Sequence, residues 1–156
     1  MTQRQRYLTP QGHDQLVREL HELRTVRRPD VAARIHQATE GGGTADNAEY
    51  EEVKNEQAFV EGRIRDIEGI LDSAVVAERS PDSEDRVQFG SAVTLETESG
   101  QSRHYQLVGS AEARPLEGKI SNESPVGQAL LDRRVGDVVE VKTPSGVQKL
   151  TIVAVE

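Results

Sequence analysis

The chain has 156 residues, with no cysteine, an aromatic content of 3%, and 19 Lys plus Arg against 27 Asp plus Glu, a formal net charge of −8. This excludes disulfide scaffolds and thiolate metal sites, and it argues against a protein that grips DNA through its phosphates or stacks bases on aromatic platforms. MTQRQRYLTPQG lacks the apolar core of a signal peptide and no stretch approaches the ~18 apolar residues of a membrane span, so a soluble, cytoplasmic protein with no membrane partner is expected.

From Pro10 to Asp72 the residues are rich in Glu, Arg, Gln, Leu and Ala, which favour helix. Leu16, Leu20, Leu23, Val31, Ile35 and Ala38 recur at spacings that place them on one helical stripe. Val53, Val60, Ile64, Ile67, Leu71 and Ala74 form a second stripe with the alternating three and four spacing of a coiled-coil seam, Gln57 filling the missing slot. Gly41-Gly42-Gly43-Thr44-Ala45-Asp46-Asn47 lies between them, with glycines suited to ending one helix and Asp46 to capping the next. Two antiparallel arms joined at a tip over 41–47 are therefore expected. Pro29 should kink the first arm or break it in two, because it lacks a donor and crowds the preceding turn.

The segment 78–85 is polar, charged and proline-bearing, and reads as a linker between a hairpin domain over 1–77 and a second domain over 86–156. The second domain carries short alternating apolar runs around Val93-Leu95, Tyr105-Leu107, Val139-Val141 and Leu150-Ile152, separated by Gly- and Pro-containing turns. Ser124-Pro125 ahead of Val126, Ala129 and Leu130 reads as the start of one short helix. The fold class is α+β: an antiparallel α-helical hairpin followed by a small antiparallel β-sheet packed on one helix.

Residues 1–78 contain 10 basic and 15 acidic residues, and the window 40–56 alone holds six acids against Lys54, which accounts for the whole excess. A rod that is acidic at one end suits a tip that meets a cation or a basic cavity. The same residues have a purely structural reading, since Asp46-x-x-Glu49 is a capping box and both carboxylates are favoured at a helix N-terminus. Glu51, Glu52 and Glu56 read as a solvated face, and the four histidines, His13, His21, His36 and His104, show no metal-ligand spacing.

Asp46-Asn47-Ala48-Glu49-Tyr50, Lys54-Asn55-Glu56-Gln57 and Glu61-Gly62-Arg63-Ile64 resemble the N-terminal coiled coil of the Gre family of transcription elongation factors, closest to the GreA type. Tyr7-Leu8-Thr9, Arg27-Arg28-Pro29, Phe89-Gly90-Ser91-Ala92-Val93, Ser124-Pro125, Gly136-Asp137-Val138-Val139 and Thr143-Pro144 extend the resemblance across both domains. It implies that the second domain is FKBP-like and docks on RNA polymerase through the loop at Ser124 and Pro125. It also implies that the hairpin enters the polymerase secondary channel and that the tip promotes cleavage of backtracked RNA, so that arrested complexes resume. The chain would then be no enzyme and would carry no cofactor of its own. Asp46 and Glu49 would be the catalytic carboxylates, with Asp46 a ligand of a Mg²⁺ held jointly with the polymerase. The nascent RNA 3′ end would be approached indirectly, as a monomer and without sequence-specific DNA binding.

The tip departs from the family pattern. An ungapped alignment puts Gly43 where a first acid is expected and Asp46 where a glutamate is expected, which removes one ligand and shortens the other by a methylene. This opens an alternative, a Gre-like regulator or inhibitor that occupies the channel with little cleavage, although Glu40 or Glu49 could compensate. Two further classes compete: a peptidyl-prolyl isomerase, for which Phe89 and Tyr105 supply too few aromatics, and a coiled-coil chaperone, for which a glycine-rich acidic tip lacks apolar surface.

Overall fold

The computed structural model describes residues 6–40, 47–80 and 85–156. Contacts divide the chain into two compact units, His13–Ser73 and Met1–Gly12 with Ala74–Glu156. Among the described residues no helix is long and apolar enough to cross a membrane.

The first unit is the helical hairpin. Helix α1 (Pro10–Glu22), a five-residue π turn (Leu23–Arg27) and helix α2 (Arg28–Glu40) run on without interruption, and helix α3 (Asn47–Ser73) forms the other arm. At about 1.5 Å per residue the 27 residues of α3 make a rod roughly 40 Å long. The expected stripes are the buried seam: Leu16, Leu20, Leu23 and Val31 on one arm, Val53, Val60, Ile64 and Ile67 on the other. Ile35, Ala38, Gln57 and Leu71 are half-buried along the same lines. Each fully buried Val or Ile contributes about 1.5–3 kcal/mol, which an isolated helix could not obtain.

Pro29 does not break the first arm in two. The perturbation sits one turn earlier, where the Arg28 N–H donates to the Leu23 carbonyl, five residues back instead of four. A proline ring crowds the carbonyl of the preceding turn, and the wider π turn makes room for it without ending the helix. Thr25 Oγ1 donates to the His21 carbonyl at 2.7 Å within that turn.

The second unit begins with residues that the sequence had placed in the hairpin domain and linker. Strand β1 (Tyr7–Leu8) pairs in parallel with β2 (Val75–Val76), Tyr7 opposite Val75. Thr9 is buried: its N–H donates to Glu112 Oε2 at 2.8 Å, its hydroxyl donates to Glu112 Oε1, and its Oγ1 accepts from the Gly12 N–H at 3.0 Å. Ser80 exchanges two hydrogen bonds with the Gln88 side-chain amide, at 2.8 and 2.9 Å, so the expected linker is tied to this unit as far as Ser80. These long-range bonds, absent from any local pattern, explain why the division falls at Gly12 and Ala74 and not at residue 77.

The main sheet contains β3 (Ala92–Thr97), β4 (Ser102–Val108), β5 (Lys119–Ser121), β6 (Val138–Thr143) and β7 (Gly146–Val155), in the order β5-β4-β3-β7-β6. Helix α4 (Pro125–Leu130) is the single α-helix of this unit among the described residues. The core gathers Val93, Leu95, Leu107, Leu130, Val139 and Ile152 with their neighbours. Alternation is clear in β6, where Val139 and Val141 are buried between exposed residues. The sheet is mixed and not wholly antiparallel, because β5 runs parallel to β4 with Leu107 opposite Ile120. The loop 109–118 carries the chain back along β4 through a 3₁₀ turn (Pro115–Glu117) and Gly118 at φ 79°, so the next strand starts in the same direction.

Candidate functional site at the hairpin tip and the docking loop

Asp46 and Gly43 lie outside the described residues. Glu49 stands in the first turn of α3 with an exposed side chain, where the helix dipole favours a carboxylate. Glu40, at the end of α2, pairs with His36 Nε2 at 3.0 Å, both side chains exposed. Glu51 and Glu52 face solvent, and Lys54 Nζ donates to Gln57 Oε1 at 3.1 Å. Among the described residues no three His, Asp or Glu side chains gather as a metal site.

Below the tip the charges are consumed between the arms. Glu56, read from the sequence as part of a solvated face, is half-buried and accepts from Arg27 Nη2 at 3.1 Å and Arg34 Nη1 at 2.8 Å. Arg28 grips Glu61 with both branches of its fork, Nε to Oε1 at 2.8 Å and Nη2 to Oε2 at 2.7 Å. Arg63 holds Glu19 in the same way at 2.8 Å twice, and Arg24 pairs with Glu68. Arginines 27, 28 and 63 are thus inter-arm clamps. From Glu19–Arg63 to Arg34–Glu56 the number rises on the first arm and falls on α3, as antiparallel arms require. Sequence spacing could not find these pairs, because each partner sits on the opposite helix.

The clamps act on protonation. The Arg28 hydrogen bond holds the Glu61 carboxyl below its ordinary value, and the Glu61 bond pushes Arg28 further up. Arg63 is likewise raised, first by its hydrogen bond to Glu19. A carboxylate whose folded pKa is depressed adds stability that is complete above the unfolded pKa and is lost as pH falls through the folded one. The stability gap between wild type and Glu61→Gln is therefore expected to be full at neutral pH and to close as pH drops through and below the ordinary glutamate value of about 4.3. Urea unfolding followed by helical circular dichroism at pH 7 and pH 3 checks this; a gap that persists in acid would contradict it.

In the second unit, Ser124 is the N-cap of α4: its Oγ accepts from the Gly127 N–H at 3.1 Å and donates to the Ser121 carbonyl at 2.6 Å. Pro125 occupies the first helical turn and is exposed. Ser124 is therefore engaged in shaping the loop, and Pro125 is the member of the pair that presents surface. His104 Nδ1 lies 3.1 Å from Thr94 Oγ1, and His13 lies beside Asp14; neither belongs to a cluster of ligands among the described residues.

Residues 6–76 match the family model of the transcription elongation factor N-terminal domain, and residues 82–156 match that of the GreA/GreB C-terminal domain. Transcription elongation factor GreA of Geobacillus kaustophilus is 46% identical over 150 residues, covering 96% of this chain and 95% of the relative. The factor of the same name from Chloroflexus aggregans is 46% identical over 156 residues, covering 99% of each. The crystal structure of GreA factor homolog 1 (Gfh1) of Thermus thermophilus is 36% identical, covers 98% of this chain and 99% of that one, and superposes with a TM-score of 0.46. With both of its units matched in order and full-length relatives at this identity, the chain belongs to the GreA/GreB family of transcription elongation factors.

Proposed function

We propose that this chain binds RNA polymerase through its C-terminal unit, with Pro125 and the Ser124-capped loop at the contact, and inserts the hairpin into the secondary channel. There it promotes cleavage of backtracked RNA, so that arrested complexes resume. The observation that carries the reading is the hairpin itself. Its two arms are clamped by ion pairs along their length, while Glu49, Glu51 and Glu52 near the tip have no ion-pair partner among the described residues. A rod stiffened in this way can deliver carboxylates to a distant metal without a pocket of its own. Mg²⁺ commonly takes one or two carboxylates and keeps several waters, and a second metal stabilises the attacking oxygen in phosphodiester hydrolysis. Asp46, with Glu49 beside it, is the proposed donor; the polymerase supplies the remaining ligands and is the nuclease. The factor acts in the cytoplasm as a monomer.

The second reading, a regulator that fills the channel with little cleavage, is favoured by one observation: Gly43 and Asp46 stand where the family pattern has two longer or additional acids. Both readings require the tip to reach the catalytic centre, and that is directly testable. The chain has no cysteine, so one introduced at Ala48 is uniquely addressable. An iron chelate tethered there is expected to cut polymerase next to its catalytic Mg²⁺, whereas the same reagent at Ser145 is expected to cut elsewhere. Binding without cutting near the metal would sink channel insertion.

A further inference from the structure

Among the described residues one buried side-chain polar atom lacks a hydrogen-bond partner: Nε of Arg79. The residue is half-buried and forms no ion pair among the described residues, although arginines 24, 27, 28, 34 and 63 all do. Its placement is fixed. Ala77 N–H donates to the Leu8 carbonyl at 2.9 Å on one side, and Ser80 is held by the Gln88 amide on the other. The stem lies over Gly90, whose φ is 91°; a Cβ there would come 3.5 Å from Arg79 Cγ.

A guanidinium that has lost part of its hydration without an ion pair among the described residues is costly, and an anion brought to its open end offsets that cost. Arg79 lines a cleft of about 470 Å³ together with Gln11, Gln106, Thr9, Gly90 and Glu78. The two glutamines can donate amide N–H bonds to the same guest, while Glu78 opposes it by charge. We infer that this cleft is a binding site for an oxyanion, a carboxylate or a phosphate, anchored by the Arg79 guanidinium. The guanidinium fork matches both oxyanion geometries. Of these lining residues only Gln11 is on a hairpin helix, in the first turn of α1.

The test is a side-chain NMR titration of the full chain with inorganic phosphate, with sodium acetate, and with sodium chloride at matched ionic strength, following the Arg79 Nε–H and the Gln11 and Gln106 amides. Saturable shifts with phosphate or acetate and not with chloride are expected; the stronger of the two identifies the guest as phosphoryl or carboxylate. Arg79→Gln should weaken the apparent affinity about tenfold or more, as read at the glutamine amides, while Glu78→Gln should strengthen it. Shifts equal to those in chloride, or an Arg79→Gln titration unchanged from wild type, would overturn the assignment.

Discussion

Alanine at Gly109 is expected to destabilise the C-terminal unit by about 3 kcal/mol or more, the upper end of what inserting one methyl group into a packed site costs. A Cβ at this position would lie 1.9 Å from the Tyr7 carbonyl oxygen and 3.0 Å from its carbon. Backbone cannot swing away as a side chain can, and Tyr7 is fixed on both sides. The Arg6 carbonyl accepts from Val75 and the Leu8 carbonyl from Ala77, each at 2.9 Å, while the Thr9 N–H is held by Glu112. Relief of the clash must therefore pull β1 away from β2 and expose Leu8, which is 1% accessible. Gly69→Ala is the matched control, since nothing lies within 4 Å of a Cβ there and the residue is inside α3. It is expected to stabilise the hairpin by about 0.5–1 kcal/mol through helix propensity alone. Because the two units need not unfold together, amide exchange is read separately, at Val75 and Ala77 for the first variant and at Ile64 for the second. Unchanged exchange at Val75 in Gly109→Ala would show that the backbone accommodates the methyl group.

What the sequence made legible was whatever repeats locally. The seam from Val53 to Leu71 was readable because a helix brings residues three and four apart onto one face, and the burial of Val60, Ile64 and Ile67 follows that spacing. Ser124-Pro125 announced α4 because cap and first turn are adjacent in sequence. Long-range partners left no such trace. Glu112 is 103 residues from Thr9, so the transfer of Tyr7–Gly12 out of the hairpin domain was invisible, as were the clamps that turn Glu56 from a solvated acid into a shared partner of Arg27 and Arg34. The parallel β5 was missed because nothing in Lys119–Ser121 encodes direction; the preceding loop does. At Pro29 the expected break does not occur, and the helix continues through the π turn one turn earlier. Of the candidate site, Glu49, Ser124 and Pro125 have described positions, whereas Asp46 rests on the family resemblance and the capping-box spacing.

Gly43→Asp is expected to raise transcript cleavage by about tenfold to a hundredfold in a backtracked elongation complex formed with the cognate polymerase. Asp46 is the proposed donor to a shared Mg²⁺, with a side chain one methylene shorter than the glutamate of the family pattern and without a second acid at Gly43. A shortfall of about 1.5 Å in reach matters where a misplacement of about 1 Å can cost 10²-fold in rate. Restoring the first acid returns a ligand to the metal, so the gain appears in the cleavage rate at saturating factor and leaves polymerase affinity nearly unchanged. The separation follows from the fold, because the proposed docking loop at Ser124 and Pro125 belongs to the other unit and is untouched by a tip substitution. Wild-type cleavage that Asp46→Ala abolishes, with binding intact, is the result expected of a working factor with an atypical tip. Binding without wild-type cleavage, together with gain in Gly43→Asp, would instead make the chain a channel-occupying regulator. If wild type, Asp46→Ala and Gly43→Asp all bind and none differs in cleavage, the tip carboxylates do not reach the metal and the proposed chemistry is wrong.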